Sequence, residues 1–314
     1  MTPPPRDAAV VLACDAGYLP FAAALLDGIA RLHPDRDFDL CVLTDGPAEP
    51  PPGLALPDLR ILHPDGPNPF QAAGGRSRHG AATYLRLLVP SRVASLYRRV
   101  LYLDSDMLAL GPGLGDLLRA DLHGAPLAAV RDNQQWRTPD RQVEEFRRAR
   151  LPTAPYLNAG LLLIDVGRFN ADGLLPRALD LMARPELLPR NDQSLLNLLL
   201  HRRWTELSPV WNWQWTWTTR FFVPLAEPRL LHFIGPRKPW SDREGRLPAA
   251  YRRATREALR RLYPDRPELV APEPDRPAWP DDLARSFLKH ALAVRGMRRA
   301  LDRFPTPLTT LPPC

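Results

Sequence analysis

Cysteine is scarce, with three in 314 residues at Cys14, Cys41 and Cys314 and no CxxC spacing among them. A disulfide scaffold is excluded, and Cys14 and Cys41, set in apolar strand-like runs, read as small core residues. Long apolar runs are missing too, since none approaches the ~20 residues of a membrane span. The opening MTPPPRDAAVVLACD holds one arginine and a seven-residue apolar run, too short for a signal peptide, so a reducing cytoplasm is the expected compartment. No GxGxxG follows that run, where the chain reads ACDAGY, which removes a dinucleotide-dependent dehydrogenase. Lysine is almost absent: of 42 basic residues only Lys238 and Lys289 are lysine. Arginine serves most surface purposes of lysine, so those two positions are worth following.

What is present is ordinary globular material. Apolar residues make up 45% and charged residues 25%, enough to bury a sizeable core and to exclude disorder of the whole chain. The length suits one large α/β domain of roughly 250 residues with an appendage, or two ordinary domains. Proline is in excess, at 38 residues against a usual ~5%. The net charge of +7 is concentrated: residues 283–304 carry six basic side chains and one acid, leaving +2 for the other 292 residues. The bulk is therefore nearly neutral, and nucleic acid is not an expected partner. In that tail Leu283, Phe287, Ala291, Val294, Met297, Leu301 and Phe304 recur at steps of three or four, with Arg295, Arg299 and Arg303 on another face. This predicts a basic amphipathic helix suited to an anionic membrane surface, and so a peripheral place on the inner face of the membrane. The alternative is docking of the stripe onto the main domain.

Short apolar runs alternate with helical patterns. Strands are expected at 8–14, 38–45, 59–62, 99–106, 127–132, 160–165 and 229–234, and helices at 19–32, 82–90, 167–183, 191–200 and 248–262. The order predicts an α/β fold over 1–245, with a central, mostly parallel sheet covered by helices on both faces. A C-terminal extension, 246–314, follows, with a proline-rich linker and the basic helix. Sheets of this kind bind ligands outside the carboxyl ends of their strands. Those ends read Asp15, Thr44-Asp45, Asp104-Ser105-Asp106, Arg131-Asp132 and His232. Acids ending four strands exceed what sheet stability requires and point to a site.

In extended backbone, residues i and i+2 project to one side, so Asp104 and Asp106 can face one hard cation that keeps positions open for phosphate oxygens. The bland alternative is a pair of acids capping a strand end. In HFIGPRKPW (232–240), His232 can add an imidazole ligand, which suits Mn2+ somewhat better than Mg2+. Gly235 permits close backbone approach to a phosphate, and Lys238 offers a compact positive charge. A cation and a lysine facing one diphosphate can stabilise a diphosphate leaving group.

Six blocks in order now carry a resemblance: ACDAGY (13–18), TYLRLLVP (83–90), LYLDSDMLAL (101–110), YLNAGLLLID (156–165), NDQSLLN (191–197) and HFIGPRKPW. Over about residues 8–245 the chain resembles glycosyltransferase family 8, nearest its bacterial lipopolysaccharide α-glycosyltransferases. The resemblance implies a GT-A nucleotide-sugar fold. It also implies Mn2+-dependent transfer of a hexose, galactose or glucose first, from a UDP-sugar to a lipopolysaccharide or other cell-surface glycan, with retention of configuration. Asp104, Asp106 and His232 become the metal ligands. Ala13, Asp15, Tyr18 and Ser105 fall on the nucleotide-sugar, although the family often has Asn where this chain has Gly17. Arg86 touches the donor or braces the acidic pair, and Asp132, Asn158 and Asp192 bond sugar hydroxyls. Gln193 lies beside the anomeric carbon, and Gly235 and Lys238 hold the diphosphate.

A retaining glycosidase needs two carboxylates flanking the bond, one of them a nucleophile. Here the obvious pair is committed to metal, Asp192 is the only acid beside the expected reacting centre, and Gln193 is a poor nucleophile. Front-face displacement is expected, with Gln193 stabilising an oxocarbenium-like sugar and the departing phosphate taking the acceptor proton. Asn191 also reads as the cap of a helix start, which is compatible with catalysis. Trp211, Trp213, Trp215 and Trp217 alternate. If extended they form an acceptor platform or an aromatic lid, with Asn212 and Gln214 opposite, in reach of donor or acceptor hydroxyls. Haloacid-dehalogenase phosphatases also place DxD after an apolar strand, but near the N-terminus and followed by Thr or Val, whereas Met107 follows here. The remaining alternative, a non-catalytic sugar-nucleotide or glycan binder that kept the fold, is opposed by the intact set Asp104, Asp106, His232, Gln193 and Lys238.

Overall fold

The computed structural model describes residues 6–51, 53–64, 66–71, 80–216, 218–274 and 283–314. The strands are β1 (Ala8–Ala13), β2 (Asp39–Leu43), β3 (Arg60–Leu62), β4 (Arg99–Leu103), β5 (Met107–Ala109) and β6 (Leu127–Arg131), then β7 (Leu157–Asp165), β8 (Thr205–Leu207), β9 (Trp213–Gln214), β10 (Leu230–His232) and β11 (Thr310–Leu311). Eight of them form one sheet in the order β11-β8-β6-β7-β4-β1-β2-β3. Four of its neighbouring pairs are parallel, β1–β2, β1–β4, β2–β3 and β6–β8, as continuous apolar strands predict. β7 runs back antiparallel between β4 and β6. Alternate residues of each strand feed two cores: Val10, Leu12, Leu101 and Leu103 pack on one face, and Ala9, Val11, Val100 and Tyr102 on the other. The helix Leu19–Leu32 covers the first face through Leu25, Leu26 and Ile29, at the bounds its periodicity predicts.

Three elements differ from expectation for identifiable reasons. The strand predicted to run through Asp106 stops at Leu103, and Asp104-Ser105-Asp106 turns the chain into a second, three-stranded sheet, β5-β10-β9. The Asp104 N–H still bonds Gly160 O at 2.8 Å in the main sheet, while Asp106 O accepts the Phe233 N–H at 3.1 Å from the second, so the turn is pinned at both ends. The helix expected over 167–183 breaks at Gly173, whose φ of +60° lies in the left-handed region, into Val166–Ala171 and Leu174–Leu181. The segment 82–90 is a 3-10 helix, Ala81–Leu87, followed by the short helix Val89–Arg92.

The C-terminal residues are tied back to the sheet. The helix Ala249–Leu262 lies against Leu19–Leu32, with Arg261 Nη2 2.5 Å from Asp27 Oδ2. β11 adds the eighth strand antiparallel to β8, and Arg303 pairs with Glu206 at 2.7 Å beside it. The basic helix spans Leu283–Leu301, and its apolar stripe divides. Val294, Met297, Leu301 and Phe304 face inward, with Met297 only 1% exposed, whereas Phe287, Leu288 and Leu292 stand 66%, 61% and 78% exposed. The proline-rich linker 264–280 falls partly outside the described residues.

Candidate active site

β1 and β4 are parallel neighbours and β7 returns between β4 and β6, so the ends of β1, β4 and β6 and the start of β7 share one edge of the sheet. Asp15, Asp104, Asp132 and Asn158 are thereby gathered from distant parts of the chain. The second sheet delivers His232, which pairs with Met107 in the β5–β10 ladder, next to Asp106.

One ligand-capable atom from each of Asp104, Asp106 and His232 lies within 4.8 Å of the others. His232 Nε2 is 3.1 Å from Asp106 Oδ1 and 3.8 Å from Asp104 Oδ2. The other polar atom of each residue is occupied. Asp104 Oδ1 accepts the Tyr102 hydroxyl at 2.7 Å and faces Arg86 Nη2 at 2.9 Å. Asp106 Oδ2 takes Lys238 Nζ at 2.5 Å. His232 Nδ1 bonds Asn212 Oδ1 at 2.9 Å, and because Asn212 Nδ2 donates to Asn158 Oδ1 at 2.8 Å, the proton on that bond belongs to the imidazole. Asp104 Oδ2, Asp106 Oδ1 and His232 Nε2 are left converging, and the buried Asp106 Oδ1 has no hydrogen-bond partner. A divalent cation with bonds of about 2.1 Å holds adjacent ligands about 3 Å apart, so this donor set fits one. Burial works to raise the Asp106 carboxyl, but a protonated His232 and the Lys238 ammonium beside it overcome that and hold it below the usual carboxylate range.

Sequence reasoning missed two supports of this cluster. A Cβ on Gly160 would overlap the His232 imidazole and stand 3.0 Å from Asp104 Oδ2, so only glycine lets β7 back the ligands. The available signal was a glycine inside an otherwise apolar strand. Asn212 was expected to reach toward sugars, yet it is fully buried and its amide is spent on His232 and Asn158. Gln214 is likewise buried, accepting the Asn133 N–H at 2.8 Å and donating to Arg131 O at 3.0 Å, which braces the loop carrying Asp132.

Beside Asp104, Asp106 and His232, the residues Asp132, Asn158 and Gln193 form a bonded set. Asp132 Oδ2 accepts Gln193 Nε2 at 3.1 Å, and Gln193 Oε1 accepts Asn158 Nδ2 at 3.1 Å and the Ala159 N–H at 3.2 Å. Arg86 bridges this side to the cluster: its Nε lies 3.0 Å from Asp192 Oδ2 and its Nη1 donates to Ala159 O at 2.6 Å. Burial pushes the Asp192 carboxyl up to about 6; Arg86 opposes the shift and Asp104 adds to it. The helix Asn191–Leu199 begins without a side-chain cap from Asn191, which instead takes a left-handed φ of +50° that asparagine tolerates. Its start is fixed from within: Ser194 Oγ accepts the Arg190 N–H at 2.7 Å and donates to the buried Glu145 at 2.9 Å.

The residues expected on the nucleotide line the same edge. Ala13 ends β1, and Asp15 Oδ1 accepts the Tyr18 N–H at 2.9 Å. The half-exposed Tyr18 ring meets Trp240 edge-on, with centroids 6.5 Å apart. Ser105 is buried in the turn between the acids, and a Cβ on Gly235, beyond β10, would meet open space. Lys238 sits inside the cluster on Asp106 and Phe233 O. Trp211 and Trp213 are core residues at 2% and 0% exposure, Trp213 against Trp136 at 4.9 Å, so their ring faces offer no platform. Trp217 lies outside the described residues.

A family profile described as glycosyl transferase family 8 matches residues 73–244. Among curated proteins, glycosyltransferase GlyF of Streptococcus pneumoniae is 26% identical over 248 residues, covering 74% of this chain and 57% of that protein. Lipopolysaccharide 1,3-galactosyltransferase of Salmonella typhimurium is 28% identical over 173 residues, 51% of this chain and 49% of that protein. The chain thus spans about half the length of these curated relatives. Among solved structures, galactosyltransferase LgtC in complex with donor and acceptor sugar analogs superposes with a TM-score of 0.63 over 88% of this chain and 99% of that one, at 21% identity.

Proposed function

Because the chain belongs to glycosyl transferase family 8, we propose that it is a retaining hexosyltransferase, moving galactose or glucose from a UDP-sugar to a lipopolysaccharide or other cell-surface glycan. Its sheet and helices have the GT-A fold. The observation that carries the reading is the convergence of Asp104 Oδ2, Asp106 Oδ1 and His232 Nε2 directly beside the bonded set Asp132, Asn158 and Gln193. Those three atoms would hold a Mn2+ or Mg2+ ion, which would supply charge neutralisation for a diphosphate. Lys238, already on Asp106, adds a compact ammonium for the same oxygens, and Gly235 leaves the backbone approachable there. Ala13, Asp15, Tyr18 and Ser105 take the nucleotide end. Asp132, Asn158 and Asp192 take the hydroxyls of the hexose.

Chemistry follows the shortage of nucleophiles. Asp192 is paired with Arg86, and Gln193 is a neutral amide held at both ends. The acceptor oxygen therefore bonds the anomeric carbon on the face from which the diphosphate leaves. The bond from that carbon to the phosphate oxygen breaks, and the acceptor proton passes to the departing oxygen. Gln193 Oε1 stabilises positive charge at the sugar by its dipole.

The catalytic residues all fall within 1–245, and the extension after it supplies a membrane contact. Phe287, Leu288 and Leu292 are exposed, with Lys289, Arg295 and Arg299 exposed along the same helix. No helix among the described residues is long and apolar enough to cross a membrane. What supports a peripheral contact is the exposed apolar and basic side chains of this helix, which suit the anionic surface of the inner leaflet, met from the cytoplasm. UDP release from a panel of UDP-sugars tests the activity. One UDP-hexose is expected to give Mn2+-dependent UDP, and a panel giving none would overturn the reading.

A further inference from the structure

We propose that Asn212 is a positioning residue that couples the metal ligand His232 to the sugar contact Asn158, so that one buried amide aligns the two halves of the site. The inference rests on the reading of the cleft given above. Its basis is the direction of the hydrogen bonds. The backbone N–H groups of Ala159 and Gly160 can only donate, and they take Gln193 Oε1 at 3.2 Å and Asn158 Oδ1 at 3.1 Å as acceptors. Asn158 Oδ1 then receives a second donor, Asn212 Nδ2, at 2.8 Å. That turns Asn212 Oδ1 toward His232, which must offer its Nδ1 proton at 2.9 Å and so keeps Nε2, beside Asp104 Oδ2 and Asp106 Oδ1, as the nitrogen that can give a lone pair to a cation. Reversing either asparagine amide puts two donors or two acceptors face to face, so the set has one arrangement, dictated by the backbone of β7.

The chain around Asn212 cannot relax to spare the link. Trp211 and Trp213 anchor it in the core on either side, and β9 pairs with β10 with Gln214 opposite His232. Partners of ligating histidines that fix ring orientation are worth roughly 10–100-fold in metal affinity. An aspartate at 212 keeps an acceptor for His232 but sets a second acceptor against Asn158 Oδ1. Leucine, branched alike at Cγ but bulkier, removes both bonds.

Full-length wild type, Asn212→Asp and Asn212→Leu are compared by Mn2+ titration followed by electron paramagnetic resonance, and by UDP release from the active UDP-hexose. Asn212→Leu is expected to bind Mn2+ about 10–100-fold more weakly. Asn212→Asp should keep Mn2+ affinity near that of wild type while kcat for UDP release falls at least ~10-fold, because Asn158 is displaced. A folded leucine variant that binds Mn2+ like wild type overturns the proposal. So does an aspartate variant that turns over like wild type, or that loses Mn2+ as fully as leucine; this variant decides alone if leucine does not fold. Wild-type protein that binds no Mn2+ and releases no UDP overturns the reading of the cleft itself, and the role of Asn212 with it.

Discussion

Along the cleft, Arg86, Asp192, Asn158, Asn212 and His232 are polar and buried, whereas on the first half of the helix Leu283–Leu301, Phe287, Leu288 and Leu292 are apolar and exposed. Both regions reverse the ordinary division between surface and core, and they do so differently. The cleft is satisfied from within: nearly every polar atom named there has a partner, and three ligand atoms are left converging. The helix end is unsatisfied. Burying each of its three large side chains is worth about 1.5–3 kcal/mol, yet all three stay mostly exposed, with Phe287 meeting the Phe221 ring edge-on at 6.3 Å. Pre-organisation marks a place for chemistry, and uncovered apolar surface beside basic charge marks a place for adhesion.

Removing one ligand breaks the cleft side of this contrast most severely. Asp106→Asn should lower Mn2+-dependent UDP release by about 10²–10³-fold with little change in thermal midpoint, read by coupled assay and calorimetry. Unchanged release would show that the convergence of the three ligands is incidental. Gly160→Ala changes none of the three ligand residues yet drives a methyl group into His232 and displaces its ring, and Mn2+ affinity should fall ~10–100-fold by titration. Lys238→Arg keeps the charge but not its shape or reach; kcat is expected to drop ~10-fold, and wild-type turnover would remove Lys238 from the diphosphate site. On the other side, Phe287→Asp with Leu292→Asp should cut sedimentation with anionic vesicles ~10-fold while UDP release in solution is unchanged. If vesicle binding survives, the helix end is not the adhesive surface.

The smallest effect is one of pH. With Asp192 raised to about 6, the rate should fall as pH drops through that value, and Asp192→Asn should lose that limb of the profile. Stability moves the other way. A carboxyl that binds its proton more tightly when folded contributes stability below its unfolded pKa of 3.8, and that contribution is lost as pH rises through about 6. The stability of wild type minus that of Asp192→Asn should therefore decline between pH 4 and pH 7, and a rising difference would contradict the burial of Asp192.

Much of the fold was legible because local pattern and burial agree: β1 and Leu19–Leu32 fall within a residue of the runs that announce them. The acidic pair was legible for a partly mistaken reason. Extended geometry brings Asp104 and Asp106 to one side on paper, whereas here a turn between two sheets does it. Asn212 and Gln214 alternate with tryptophans, which reads equally well with either face inward, and only the tertiary packing buries Trp211 and Trp213 together with them. The basic helix was legible as amphipathic, but periodicity cannot say that Met297 docks and Phe287 does not. β11, two residues long, is too short to carry a pattern and exists because β8 offers an edge. Of the two lysines, Lys238 lies on Asp106, the acid proposed as a metal ligand, where a compact ammonium and an arginine are not equivalent.

The central claim is that Asp104, Asp106 and His232 form a divalent-metal site serving a nucleotide diphosphate. Mn2+ titration by electron paramagnetic resonance, with and without UDP, tests it most directly. One ion per chain, bound more tightly with UDP present and lost in Asp106→Asn, is the expected result. Binding that is absent, or equal in the variant, would contradict the account.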